Sequence, residues 1–176
     1  MNRQETESRA REVTPMAGDV AHKRWWQTFE VVFGIPFLVA IALQFTVPHS
    51  FPRGLFTPLF IGGGTILVIA GVTIVVLARR EFARHHQPTD PGQPTNDLIT
   101  TGVFSVSRNP LYLGGVSVLV GIALAFNLPW VLLLLLPAIV ACHYLLIAPE
   151  ERYLAAKFGE HYQRYTATVG RWISRI

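Results

Sequence analysis

Three uncharged stretches set the pattern of the chain. Between Glu30 and Arg53 lie 22 residues without a formal charge, between Arg53 and Arg79 another 25, and from Asn109 to Pro149 a run of 41. At about 1.5 Å per residue, each of the first two is long enough as an α-helix to cross a hydrocarbon core of about 30 Å, whereas the third is about twice too long for one crossing. It has to fold back, and Asn127-Leu128-Pro129 supplies the turn residues, dividing the run into spans from about Pro110 to Phe126 and from about Trp130 to Ala148. The pattern predicts an all-α integral membrane protein with four transmembrane helices.

The polar segments complete the organisation. Residues 1–20 have mixed charge and no apolar run of their own, so a disordered tail over 1–24 is expected rather than a cleavable signal peptide. A transmembrane hairpin over 25–80 follows. Then comes a loop over 81–108, in which the prolines and glycine of Gln87-Pro88-Thr89-Asp90-Pro91-Gly92-Gln93-Pro94 exclude regular helix. Residues 109–176 form the second hairpin with a C-terminal segment. There Leu154, Phe158, Tyr162, Tyr165 and Val169 recur every three or four residues, the stripe of an amphipathic helix that lies on the membrane or caps the bundle, with Gly159 as its weak point. Gly64 and Gly71 on span two, and Ser117, Gly121 and Ala125 on span three, are spaced for close helix packing.

Composition agrees and charge adds orientation. With 51% hydrophobic and 15% charged residues in 176, the chain is too apolar for an ordinary soluble domain. Fourteen of the fifteen Lys and Arg residues fall in the N-terminal segment, the 79–108 loop and the C-terminal segment, and only Arg53 lies on the other side. Both termini and the loop are therefore expected in the cytoplasm, with Trp25, Trp26 and Trp130 at the interfaces, in a bacterial inner membrane. The net charge of +4 shows no basic stripe and gives no reason to expect nucleic acid. A single cysteine, Cys142, excludes an intramolecular disulfide and any multi-cysteine zinc site.

Chemistry concentrates at two places. In Ser107-Arg108-Asn109-Pro110-Leu111-Tyr112-Leu113-Gly114, Asn109 suits an N-cap and Pro110 a first helical residue, so span three should begin there with its positive dipole end toward the cytoplasm and Arg108 beside it. That is an anion-friendly pocket, although a capped interfacial helix explains the same residues. The second place is Glu150-Glu151, two carboxylates at the end of an apolar span, which are costly there unless solvated, paired or functional. Glu150 precedes Leu154 by four residues and points along the buried stripe, which makes it the better candidate; Glu151 is turned about 100° away. Favouring the N-terminus of a new helix accounts equally for both acids. His143, seven residues before Glu150, is a further intramembrane candidate, while His85-His86 lack a third ligand at metal spacing.

Taken in order, Leu98-Ile99-Thr100-Thr101-Gly102-Val103-Phe104, Arg108-Asn109-Pro110-Leu111-Tyr112-Leu113-Gly114, Glu150-Glu151, Phe158-Gly159, Tyr162, Tyr165 and Arg171-Trp172 resemble the integral membrane methyltransferases, which include isoprenylcysteine carboxyl methyltransferases and phospholipid N-methyltransferases. Asn109 and Phe104 stand where many prenylcysteine enzymes have His and Tyr, and no proline follows Trp172. The resemblance implies a cytoplasmic pocket for S-adenosylmethionine made by Asn96, Asp97, Leu98, Ile99, Phe104, Asn109, Pro110, Leu111, Tyr112, Glu150 and Glu151. It gives Arg108 and Glu150 the catalytic roles, and the acceptor is a lipophilic small molecule or lipid-anchored group drawn from among membrane lipids. Methyl transfer from a sulfonium needs no protein nucleophile, in keeping with a chain that offers no Ser-His-Asp or metal constellation. Two other readings remain open. One is a nicotinamide-dependent reductase, since membrane sterol reductases are similar at the C-terminal end but much longer; the other is a non-enzymatic membrane scaffold.

Overall fold

The computed structural model describes residues 28–52, 54, 56–87 and 96–174. The expected N-terminal tail, Trp25, Trp26, Arg53 and the Pro88–Pro94 connector lie outside the described residues. Helix α1 is Phe29–Thr46, α2 Thr57–Arg84, α3 Pro110–Ala125 and α4 Pro129–Cys142. A π turn, His143–Ile147, carries α4 into α5, Ala148–Phe158, and α6 is Glu160–Thr168; a 3-10 helix, Gly102–Ser105, precedes α3. No strand occurs among the described residues.

Among the described residues, three helical runs are long and apolar enough to cross a membrane: Phe29–Thr46, Thr57–Arg84 and the continuous Pro129–Phe158. The fourth apolar helix, α3, has 16 residues, about 24 Å at 1.5 Å per residue. Exposed apolar side chains run along the bundle's outside, among them Leu38, Phe45, Ile66, Ile69 and Leu136, a surface that suits hydrocarbon and not water. Thr65 and Thr73 on α2 return their hydroxyls to the carbonyls of Ile61 and Ile69, both at 2.8 Å, so neither leaves a free polar group toward lipid.

Several expected boundaries shift. The loop expected from residue 81 starts only after Arg84, because α2 continues beyond its apolar part, where Glu81 and Arg84 pair one turn apart at 2.8 Å. Helix does not stop at Ala148: the π turn ends at Ile147, two residues before Pro149, whose missing N–H cannot bond in a regular α-helix, and α-helix resumes at Ala148. The C-terminal amphipathic helix is two helices, broken at Gly159 with φ +51°.

Packing does not follow the hairpins of the sequence. The main partner of α2 is α3, and that of α1 is α4. Glycines are the reason. A Cβ on Gly64 would lie 2.6 Å from the Gly121 carbonyl oxygen, and one on Gly71 2.5 Å from that of Gly114, so the two antiparallel backbones meet at a distance only glycine permits. At the end remote from the candidate site, the Phe51 N–H donates to Asn127 Oδ1 at 2.7 Å and Trp130 Nε1 to the Val47 carbonyl at 2.8 Å, joining the two connections.

Candidate functional site

Both carboxylates of Glu150-Glu151 point into the protein. Four residues earlier, Leu146 and Ile147 are both fully buried, and i, i+4 neighbours share a face. Glu151, on a different face of α5 from Glu150, is nonetheless part-buried: its side chain is 18% exposed and lies between two guanidinium groups. Arg108 Nη1 approaches Glu151 Oε1 at 3.0 Å. From the C-terminal segment, Arg171 Nε and Nη2 donate to the two carboxylate oxygens at 2.9 and 2.7 Å, a two-pronged pair. These bonds to Glu151 hold the Arg171 guanidinium above its ordinary pKa. Two cations around one anion leave the cluster positive.

Arg108 Nη1 also donates to the Tyr162 hydroxyl at 3.2 Å, while its Nε is buried without a hydrogen-bond partner. Burial, followed by the nearby Glu151 charge, raises the Tyr162 phenol above its usual pKa, and burial raises Tyr165 as well. Both phenols therefore stay protonated near neutrality, and Tyr165 donates to the Phe104 carbonyl at 2.6 Å. On the other side of α5, Glu150 accepts from the Tyr112 hydroxyl at 3.4 Å, long for a bond between hydroxyl and carboxylate. Tyr112 packs against the buried cluster of Cys142, Leu146 and Phe33.

Asn109 occupies the N-cap position without capping through its side chain. Its Nδ2 donates instead to the Arg171 carbonyl at 3.0 Å, while the Arg108 N–H donates to the Gly170 carbonyl at 3.1 Å and the Ser174 N–H to that of Val106 at 2.8 Å. The segment from Gly170 to Ser174 thus runs along Val106 to Asn109 as a strap. The side-chain amide thus ties α3 to the C-terminal backbone and leaves the helix's first N–H groups without a side-chain cap.

The remaining sequence candidates separate into two groups. Ile99 and Phe104 are buried with Ala78, and Leu111 packs against them; Pro110 is fully buried. These residues form the floor under the loop. Leu98 packs on Tyr162, Tyr165 and Val169, which brings it beside Arg108's partner. Asn96 and Asp97 are exposed at the edge, where Gln87 accepts from the Asn96 N–H at 2.9 Å and donates to the Asp97 carbonyl at 2.8 Å. His143 stacks edge-on with the exposed Tyr144 at 4.9 Å, while Cys142 and Leu146 take the inward positions.

Three residues escaped the sequence reading. Arg171 entered only as part of a resemblance. Glu81, 7% exposed, accepts from Thr101 Oγ1 at 3.1 Å and from Arg84, and its carboxylate fills the space beside Gly102, whose φ is +57°. A lone acid four residues before the loop gave no periodic signal of this. Phe29, in the unremarkable first turn of α1, stacks on Tyr112 with centroids 6.3 Å apart.

Comparison with known proteins places the chain in a family. Residues 59–161, more than half of the chain, match the family described as phospholipid methyltransferase. The chain belongs to that family, within the integral membrane methyltransferases. No curated protein and no solved structure matches it. The match lends no support to the nicotinamide reductase or to the scaffold reading.

Proposed function

From membership in the phospholipid methyltransferase family, we propose that the chain transfers a methyl group from S-adenosylmethionine to a lipophilic acceptor that reaches the site sideways from the bilayer. The observation that carries this reading is the convergence of Arg108, Glu151, Arg171 and Tyr162 next to the Tyr112–Glu150 pair, all at one end of α3 and α5. A cofactor with a carboxylate and an ammonium fits what is present. Arg108 Nε is a buried donor lacking an acceptor, which a carboxylate would supply. The slack bond to Tyr112 leaves Glu150 able to accept from an ammonium.

When bound, S-adenosylmethionine supplies a methyl group on a sulfonium, already activated for displacement. The chain's part is to bind, orient and exclude water. Arg108 holds the anionic end, and Glu151 and Arg171 fix the guanidinium in place. Glu150 and Tyr112 orient the cationic part, with Asn96, Asp97 and Leu98 at the open edge and Asn109, Pro110, Leu111, Ile99 and Phe104 supporting them from below. Fixed charges in a dry site and a restricted approach supply the catalysis.

In the bilayer, α1 and α2, then α3 and α4, make four crossings as two consecutive hairpins, joined by the segment between Arg84 and Asn109. Both termini and the site face the cytoplasm of a bacterial inner membrane. Calorimetry on the purified chain should detect adenosylhomocysteine binding that weakens at least tenfold, or about 1.4 kcal/mol, in Glu150→Ala and in Tyr112→Ala. A folded chain that binds neither adenosylhomocysteine nor S-adenosylmethionine refutes the proposal. Labelled methyl groups should enter the organic phase of membranes only when the protein is present, and label confined to water-soluble products would refute lateral access.

A further inference from the structure

Phe29 opens α1, a helix outside the residues matched to the family, yet its ring forms part of the site's wall. It stacks on Phe33 with centroids 4.5 Å apart and on Tyr112 at 6.3 Å, with an interplanar angle of 29° in both cases. The same ring lies against Gly115, where any Cβ would collide with its edge. The two glycines after Leu113 therefore serve different neighbours: Gly114 admits α2, and Gly115 admits Phe29. Tyr112 and Gly115 are three residues apart on α3 and share a face, so Phe29 rests on both at once.

The Tyr112 ring packs on Phe33, Cys142 and Leu146, but its hydroxyl makes a single long bond of 3.4 Å, and the place of that hydroxyl is set by the swing of the whole ring about the Cα–Cβ bond, which a second ring against its face restrains. We infer that Phe29 is a positioning residue: by closing one face of Tyr112 it holds the hydroxyl on Glu150, and so sets the geometry of the cofactor's cationic end. The inference rests on the proposed role of Tyr112 and Glu150. Phe29 touches no reacting atom in this scheme and acts through Tyr112.

A double-mutant cycle on the full chain tests it, read as adenosylhomocysteine affinity alongside thermal unfolding. Phe29→Leu should weaken binding about tenfold, whereas in a Tyr112→Phe background, which lacks the hydroxyl, the same change should cost less than about twofold. Phe29→Tyr adds a hydroxyl at Cζ, the ring atom nearest Gly115, and should weaken binding as Gly115→Ala does. Gly115→Ala, which displaces the ring, should weaken binding when Phe29 is present and have little effect once it is Leu. Equal losses from Phe29→Leu in both backgrounds would assign it a general packing role and overturn the inference. So would unchanged binding in a folded Phe29→Leu chain, and Phe29→Met replaces it in the cycle if the Leu variant does not fold. A wild-type chain that fails to bind adenosylhomocysteine overturns the functional reading itself, an outcome separate from the others.

Discussion

At the scale of single residues, the two neighbouring glutamates divide the work by the company they keep. Glu151 meets two arginines and Glu150 a phenol. Removing the Glu151 charge strands Arg108, whose side chain is 14% exposed, and an unpaired buried charge is what makes breaking such pairs costly. Glu151→Gln should therefore destabilise the chain by about 2 kcal/mol or more, a value lowered from the fully buried case because Arg171 is partly solvated. Arg171→Gln should cost less, about 1 kcal/mol, because Glu151 keeps Arg108. Thermal unfolding in detergent ranks the two, and the reverse order would mean that Glu151 is held chiefly by the C-terminal segment. The sequence made Glu150 legible because a four-residue step to Leu154 is a local relation. It concealed Glu151's pairing, because the partner, Arg171, is 20 residues away and belongs to a strap with no periodic pattern.

At the scale of elements, hydropathy revealed where helices lie but not which helices touch. A run of apolar residues reports burial in lipid or protein alike, so the apolar helices were legible while the pairing of α2 with α3 was encoded in four glycines. Those glycines were readable as packing residues; that Gly71 answers Gly114, and Gly64 answers Gly121, required the antiparallel register. The π turn was illegible for a related reason, since Pro149 signals only that a regular bond is missing and not how the chain absorbs it. Gly71→Val should force α2 and α3 apart at the Gly114 carbonyl. Overpacking of this kind costs about 1–3 kcal/mol, and it should appear as a lowered midpoint of thermal unfolding together with weaker cofactor binding, because α3 carries Tyr112. Gly62→Val on the same helix has open space around its Cβ and should change neither. A Gly71→Val chain as stable as wild type would mean that the helices are not held together at this contact.

At the scale of the whole molecule, the proposed orientation rests on charge and the proposed number of crossings on α3. Its 16 helical residues cover about 24 Å, a few ångströms short of a core of about 30 Å. In the proposed topology the shortfall falls at the Arg108 end, where the chain carries the polar network of Arg108, Glu151 and Tyr162. A short third span would then be the geometric counterpart of a site sunk slightly below the membrane surface, and that reading requires α3 to cross fully, with Asn127 on the far side from Arg108. Single cysteines placed in a Cys142→Ala background test this with a membrane-impermeant maleimide. Ser50→Cys, between α1 and α2, should react only from the outer face. Ser105→Cys and Gln163→Cys should react only from the cytoplasmic face, in inverted vesicles or after permeabilisation. If Ser50→Cys and Ser105→Cys react from the same side, α2 does not cross as proposed, and the positive-inside assignment fails. If those two residues obey the rule while an Asn127→Cys probe reacts from the cytoplasmic side, α3 and α4 form a re-entrant loop instead of two crossings. The site would then keep its cytoplasmic address but lose lateral contact with the outer leaflet.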